Sequence, residues 1–184
     1  LGLPWLAQWH YAVAIGYDLP GGEITLHSGT TRDMRVAEHV FLNTWARSRY
    51  WGLAVLPPTR LPASADARGF VAAAAGLERG GRHAAAITAY ETALAKWPDS
   101  FGARMGLGNA RYAAGDLAGA EAAFREAVRR HPEAAPAFNN LAQVLADQGR
   151  YDEAHAAISR ALELGGELTP VYRQTLAEIL AARS

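Results

Sequence analysis

Two rhythms of hydrophobic and polar residues divide the chain. From residue 67 onward apolar residues recur at helical spacing, and the whole pattern then repeats. Gly81, Gly115 and Gly149 fall 34 residues apart, as do Ala86, Ala120 and Ala154, then Tyr90, Phe124 and Ile158, then Ala93, Ala127 and Ala161; Pro98, Pro132 and Gly166 close the units. Each unit predicts a pair of helices: first helices near 67–80, 101–114 and 135–148, second helices near 83–97, 117–131 and 151–164. Glycine between them supplies a left-handed turn at no steric cost. Alanine marks points of close approach, and the large residue midway between two alanines fills the space between neighbouring helices. Core positions expected on the first helices are Phe70, Ala73, Ala74 and Leu77, and later Phe138, Leu141, Ala142 and Leu145. The middle unit keeps Leu107 and Gly108 but puts Arg104 and Arg111 where large apolar residues stand in the others, so their stems must snorkel or the helix must turn slightly. Thr169-Pro170 reads as an N-cap and first turn. The helix that follows to about Ala182 repeats Tyr172, Leu176, Ile179 and Leu180 on one side and caps the stack.

Before residue 57 the rhythm is shorter. Tyr11 to Tyr17 is an apolar run of strand length, Leu19-Pro20-Gly21-Gly22 signals a turn, and Glu23 to His27 alternates, which together predict a hairpin. A short helix over Val36–Arg47 and a third strand over Tyr50–Leu56 follow. Pro57-Pro58-Thr59-Arg60-Leu61-Pro62 cannot continue a helix and marks a boundary. The expected organisation is a β/α segment over 1–57, a linker over 58–66 and an array over 67–184, divided 67–100, 101–134, 135–168 and a cap at 169–184. The fold class is mainly α: a helical solenoid of three repeats plus a cap, preceded by a small antiparallel β/α segment.

A period of 34, small residues at two crossing points, a large apolar residue between them and a terminal proline resemble the tetratricopeptide repeat. The resemblance implies a right-handed solenoid whose first helices line a concave face that holds another polypeptide. A second resemblance is confined to about 50 residues. Trp9-His10-Tyr11-Ala12-Val13-Ala14-Ile15-Gly16-Tyr17-Asp18, then Ile24-Thr25-Leu26-His27-Ser28-Gly29 and later Phe41, Trp45 and Tyr50-Trp51, resemble the second half of the papain-like, bacteriocin-processing double-glycine cysteine peptidases. In that family the histidine at the position of His10 is the general base that activates a cysteine. The sequence departs from the pattern where an orienting Asp is expected, reading His27-Ser28-Gly29, and it contains no cysteine at all. The implied alternative is the C-terminal part of a peptidase fused to repeats, a bacterial arrangement, inactive as it stands. The opening Leu1-Gly2-Leu3-Pro4-Trp5, without an initiator Met, fits entry into a domain at its middle.

Composition narrows the rest. Eighteen basic and eighteen acidic residues give zero formal net charge, which supplies no general attraction to nucleic acid or to an anionic membrane surface. No apolar run approaches membrane-spanning length. Without cysteine there is no disulfide, thiolate metal site or cysteine nucleophile, and the six histidines show no metal-ligand spacing, so no metal or cofactor is expected. Ser28 lacks the strained elbow of a serine nucleophile. The residues assigned to binding a peptide or protein are Arg79, Asn109, Tyr112, Asn139 and Gln143, with Arg68, Glu78, Met105 and Asp147 on the same helices; amides both donate and accept, and so can grip an extended backbone whatever its side chains. The N-terminal segment, rich in aromatic residues for so few residues of core, could also complete its sheet in trans and form a homodimer.

Overall fold

A computed structural model describes residues 12–18, 20–28, 30–46 and 56–183. The chain divides into two compact units, Leu1–Ala54 and Val55–Ser184. In the first, strands β1 (Ala12–Asp18), β2 (Glu23–Ser28) and β3 (Thr31–Ala37) form an antiparallel sheet in sequence order, followed by helix α1 (Glu38–Ala46). The β1–β2 turn is closed by Asp18, whose Oδ1 accepts from the Gly21 amide at 3.1 Å, and by Gly22 at a φ of 64°. The hairpin therefore forms where expected. A further strand, β3, which the pattern did not predict, follows it, and the helix expected from Val36 begins at Glu38. Residues 50–55 of the expected third strand lie outside the described residues, and Leu56 is not in a strand. The reason β3 escapes notice is its three charges, Arg32, Asp33 and Arg35, all exposed, while only Met34 and Val36 turn partly inward.

The second unit consists of α2 (Ala67–Arg79), α3 (His83–Lys96), α4 (Phe101–Ala113), α5 (Leu117–Arg130), α6 (Ala135–Asp147), α7 (Tyr151–Leu164) and α8 (Thr169–Arg183). The turn inside each pair is built identically three times. The amides of Gly81, Gly115 and Gly149 donate to the carbonyls of Glu78, Tyr112 and Ala146, and those of Arg82, Asp116 and Arg150 to Leu77, Arg111 and Leu145. The glycines sit at φ of 71°, 80° and 76°, a conformation that strains residues with a Cβ. Ala86, Ala120 and Ala154 are each the fourth residue of their helix, and all three are fully buried, as are Ala93, Ala127 and Ala161.

Between those alanines the rings of Tyr90 and Phe124 and the Ile158 side chain fill the core. Tyr90 lies against Gly106 of the next repeat so closely that a Cβ there would come within 2.2 Å of the ring; Phe124 lies against Gly108 of its own repeat, where a Cβ would come within 2.4 Å. The two arginines of the middle unit differ: Arg111 carries its guanidinium toward the surface, whereas Arg104 stays buried. Arg104 is 9% exposed, donates to the Pro98 carbonyl and sits 4.0 Å from Glu126; burial lowers its pKa, and its guanidinium nonetheless has carbonyl and carboxylate acceptors. Arg111 reaches back to Glu91 of α3 at 2.7 Å and to the Gly119 carbonyl. Arg125 of α5 and Arg150, the residue just before α7, share Glu121 and Glu153, tying α5 to α7.

Two core assignments and one cap change at the ends of the array. Ala73, in the helix that opens the array, is exposed, whereas its repeat equivalents Leu107 and Leu141 are buried; Leu107 joins a cluster with Tyr90 of the preceding α3, a contact for which α2 has no earlier repeat within its unit. At the far end, Val171 stands 34 places after the buried Ala137 yet is 48% exposed, and Tyr172, 34 places after Phe138, is buried. Tyr172, Thr175 and Ile179, 34 places after Phe138, Leu141 and Leu145, face α6 and α7, so the cap keeps the register of the array, while Leu180 is exposed. Thr169 does not act as an N-cap: its hydroxyl donates to the Gly166 carbonyl at 2.7 Å, and the first helical carbonyl belongs to Leu168.

The packing yields a test of sign. An exposed glycine within a helix becomes more stable on replacement by alanine, by up to about 1 kcal/mol, and Gly76→Ala, whose Cβ would meet only the end of Arg79, is expected to do so. Gly108→Ala should instead destabilise by about 1–3 kcal/mol, because the buried Phe124 ring has nowhere to move. Urea denaturation of both variants measures the difference, and a neutral Gly108→Ala would contradict the packing described.

Candidate peptide-binding face

Helices α4 and α6, the first helices of successive repeats, meet through polar side chains. The Asn140 amide donates to Asn109 Oδ1 at 3.0 Å and the Asn139 amide donates to Asn140 Oδ1 at 3.3 Å, giving a row of three amides that crosses from one helix to the other. One helical turn further along, the Tyr112 hydroxyl donates to Asp147 Oδ2 at 2.5 Å, and Gln143 donates to Asp147 Oδ1 at 3.4 Å. Within each helix the spacing explains the alignment: 109 and 112 are three apart, and 140, 143 and 147 follow at three and four, one face in each case. The row keeps unused capacity. Among the described residues Asn109 retains both amide hydrogens and Gln143 its carbonyl, so the face offers a donor and an acceptor to a chain laid across it.

Of the five residues assigned to binding from sequence, four come together here: Asn109, Tyr112, Asn139 and Gln143. Arg79 ends α2 and is exposed; among the described residues it makes no hydrogen bond or ion pair with the other four. Asn139 differs from the others in that its Oδ1 is buried without a hydrogen-bond partner among the described residues. The central amide is Asn140, which sequence reasoning passed over in favour of its neighbour. Spacing does not separate the two, since Asn139 stands four residues before Gln143 and Asn140 three. Glu78, on the first repeat's first helix, is occupied by the Tyr90 hydroxyl, which donates to it at 2.9 Å and whose phenol is pushed up by burial and by that carboxylate.

His10 lies outside the described residues, as do Trp5, Trp9, Tyr11 and Trp51. Ser28, on β2, pairs in register with Ala12. His27 meets Asp33 at 3.2 Å, and both are exposed.

With the geometry in place, comparison with known proteins places the array. A family model described as tetratricopeptide repeat matches residues 71–135 and again 107–168, together more than half of the chain. Comparison with curated protein sequences gives no match. Among solved structures, the chain resembles the type III secretion chaperone SycD of Yersinia enterocolitica in complex with a peptide of the translocator YopD, with a TM-score of 0.59 at 17% identity over 64% of this chain and 94% of that one. It also resembles a thermophilic tetratricopeptide-repeat protein of Thermus thermophilus, with a TM-score of 0.58 at 28% identity over 64% of this chain and 65% of that one. A third likeness is to a mutant O-GlcNAc transferase of Thermobaculum terrenum, with a TM-score of 0.55 at 26% identity, of which the chain spans 22%. The family match begins beyond residue 70, and the papain-like likeness of residues 1–57 gains no support from it.

The Tyr112–Asp147 hydrogen bond has a pH signature. The bond itself, then burial and the carboxylate's charge, push the Tyr112 phenol up to about 12. A raised folded pKa means that the contribution is fully present below the ordinary value of about 10 and is lost as pH climbs toward 12. Asp147→Asn should bring the Tyr112 titration down toward about 10, followed through the tyrosine Cζ carbon resonance with Tyr112→Phe to assign it. An unchanged titration in Asp147→Asn would mean the pair does not form.

Proposed function

The chain belongs to the tetratricopeptide-repeat family, and on that premise we propose that its array is a protein-interaction module that holds a peptide or a segment of a partner protein against the first-helix face. The observation that carries this reading is the amide row formed by Asn109, Asn140 and Asn139 and extended by Gln143. Backbone amides and carbonyls of an extended chain need partners when they leave water, and unpaired polar groups cost about 1–3 kcal/mol each. A row of side-chain amides meets that need without demanding a particular sequence. A peptide complex exists for a neighbour of the same fold, which supports assigning the role to this array. The groove is concave by analogy with stacked helix pairs in general. Arg79 stands apart from the row and belongs to the face only if the ligand extends over the first repeat.

For residues 1–57 the resemblance would make His10 a general base, but the chain holds no cysteine for it to activate. No hydrolysis is assigned to the chain.

Panning a display library of random dodecapeptides on the immobilised full chain, then measuring the recovered peptides by fluorescence anisotropy, tests the proposal. Asn109→Ala with Asn140→Ala is expected to weaken binding about tenfold, roughly 1.4 kcal/mol, while circular dichroism stays unchanged. Recovered peptides that bind the double variant as tightly as the parent would overturn the assignment of the face.

A further inference from the structure

Where the amide row ends, α6, α7 and α8 leave a recess of about 310 Å³ lined by Gln143, Ala146, Asp147, Tyr151, Glu178, Ile179 and Ala182. Ala146, Ile179 and Ala182 give it an apolar wall, and two carboxylates, Asp147 and Glu178, stand at its edge. Several acids of the array meet arginine: Glu91, Glu121, Glu126, Glu153 and Glu163 each meet at least one, whereas among the described residues Asp66, Glu78, Asp116, Glu133 and Glu167 meet none. Asp147 and Glu178 meet none either, and both line the recess. Among the described residues Asp147 accepts only from Tyr112 and Gln143, and Glu178 only from Gln174 at 2.9 Å, all neutral donors. Two carboxylates left without a cation beside an apolar wall match one kind of side chain: a long aliphatic stem ending in a positive charge. A small inorganic cation would make no use of the wall, and an acidic or apolar side chain would leave the charges opposed or unmet.

We propose that this recess is the specificity pocket of the interaction face and receives a lysine or arginine side chain of the bound polypeptide, its methylenes on Ala146, Ile179 and Ala182 and its charge between Asp147 and Glu178. The proposal rests on the reading that the first-helix face holds a polypeptide, and it adds a preference to it. Gln143 belongs to both the amide row and the recess, so a backbone held by the row has the pocket within reach of a side chain. Asp147 is already held by Tyr112, which fixes one of the two charges in place before the ligand arrives. Selectivity then comes from the pocket and general grip from the row, and because the charges are exposed, the selectivity falls as salt rises.

The dodecapeptides recovered on the full chain supply the test. They should carry a lysine or arginine at one fixed position, and replacing that residue by norleucine or citrulline, which keep the stem and lose the charge, should weaken binding about tenfold in low salt. Asp147→Asn with Glu178→Gln should bind the charged and uncharged peptides alike. Glu178→Gln alone, which disturbs only a contact within α8, should shrink the preference without touching Tyr112, and so serves if the double variant unfolds. Recovered peptides with no basic position, or a preference that survives in the variants, overturn the pocket while leaving the face intact. Recovery of no peptide at all overturns the face and the pocket with it.

Discussion

Everything in the array depends on how closely one helix can approach the next. The Tyr90 ring sits where a Cβ on Gly106 would lie 2.2 Å away, and Phe124 stands in the same relation to Gly108. Those two glycines let α4 settle onto the helix before it and the helix after it. Ala86, Ala93 and their equivalents do the same along the second helices, all without measurable exposure. Dispersion at such distances, summed over many atoms, and the burial of apolar surface hold repeats that have no other means of closing their cores. Because the contact is steric, it also fixes rotation: a helix seated on a glycine cannot turn about its axis without losing the seat.

That rotational constraint is what assembles the site. With α4 seated through Gly106 and Gly108, the directions in which Asn109 and Tyr112 leave the same helix are set as well. They meet Asn140 and Asp147 because α6 packs in turn on α5, the helix that carries Phe124. The two hydrogen bonds between α4 and α6 are therefore products of packing before they are features of binding, and a ligand meets amides whose positions are already set, which lowers the cost of ordering on association. The middle repeat shows how much deviation the scheme accepts. Arg104 replaces the phenylalanine found at the equivalent positions 70 and 138, and the cation is accommodated because its stem packs while its end reaches the Pro98 carbonyl.

The periodic part of this architecture was readable from residue types alone, since glycine in a left-handed turn and alanine at a crossing are each nearly forced by geometry. What was not readable was orientation at the boundaries. Leu180 and Ala73, expected in the core, are exposed at the two ends of the array, although Tyr172, Thr175 and Ile179 keep the step of 34 from Phe138, Leu141 and Leu145. Asn140 was missed for a related reason: adjacent amides at 139 and 140 look equivalent in sequence, and only the angle of α6 decides which one reaches Asn109. In the first unit, β3 carries alternating charges that read as loop, and its strand identity comes from pairing with β2, a contact its own residues do not announce.

The central claim is that a polypeptide is held along the amide row between α4 and α6. The most direct measurement is the change in side-chain amide resonances of Asn109, Asn140 and Gln143 when a recovered peptide is added to the labelled protein. The account predicts that these three move most, with backbone changes following the first helices. Shifts concentrated instead on the second helices, around Arg125 and Glu153, with the three amides unmoved, would contradict it.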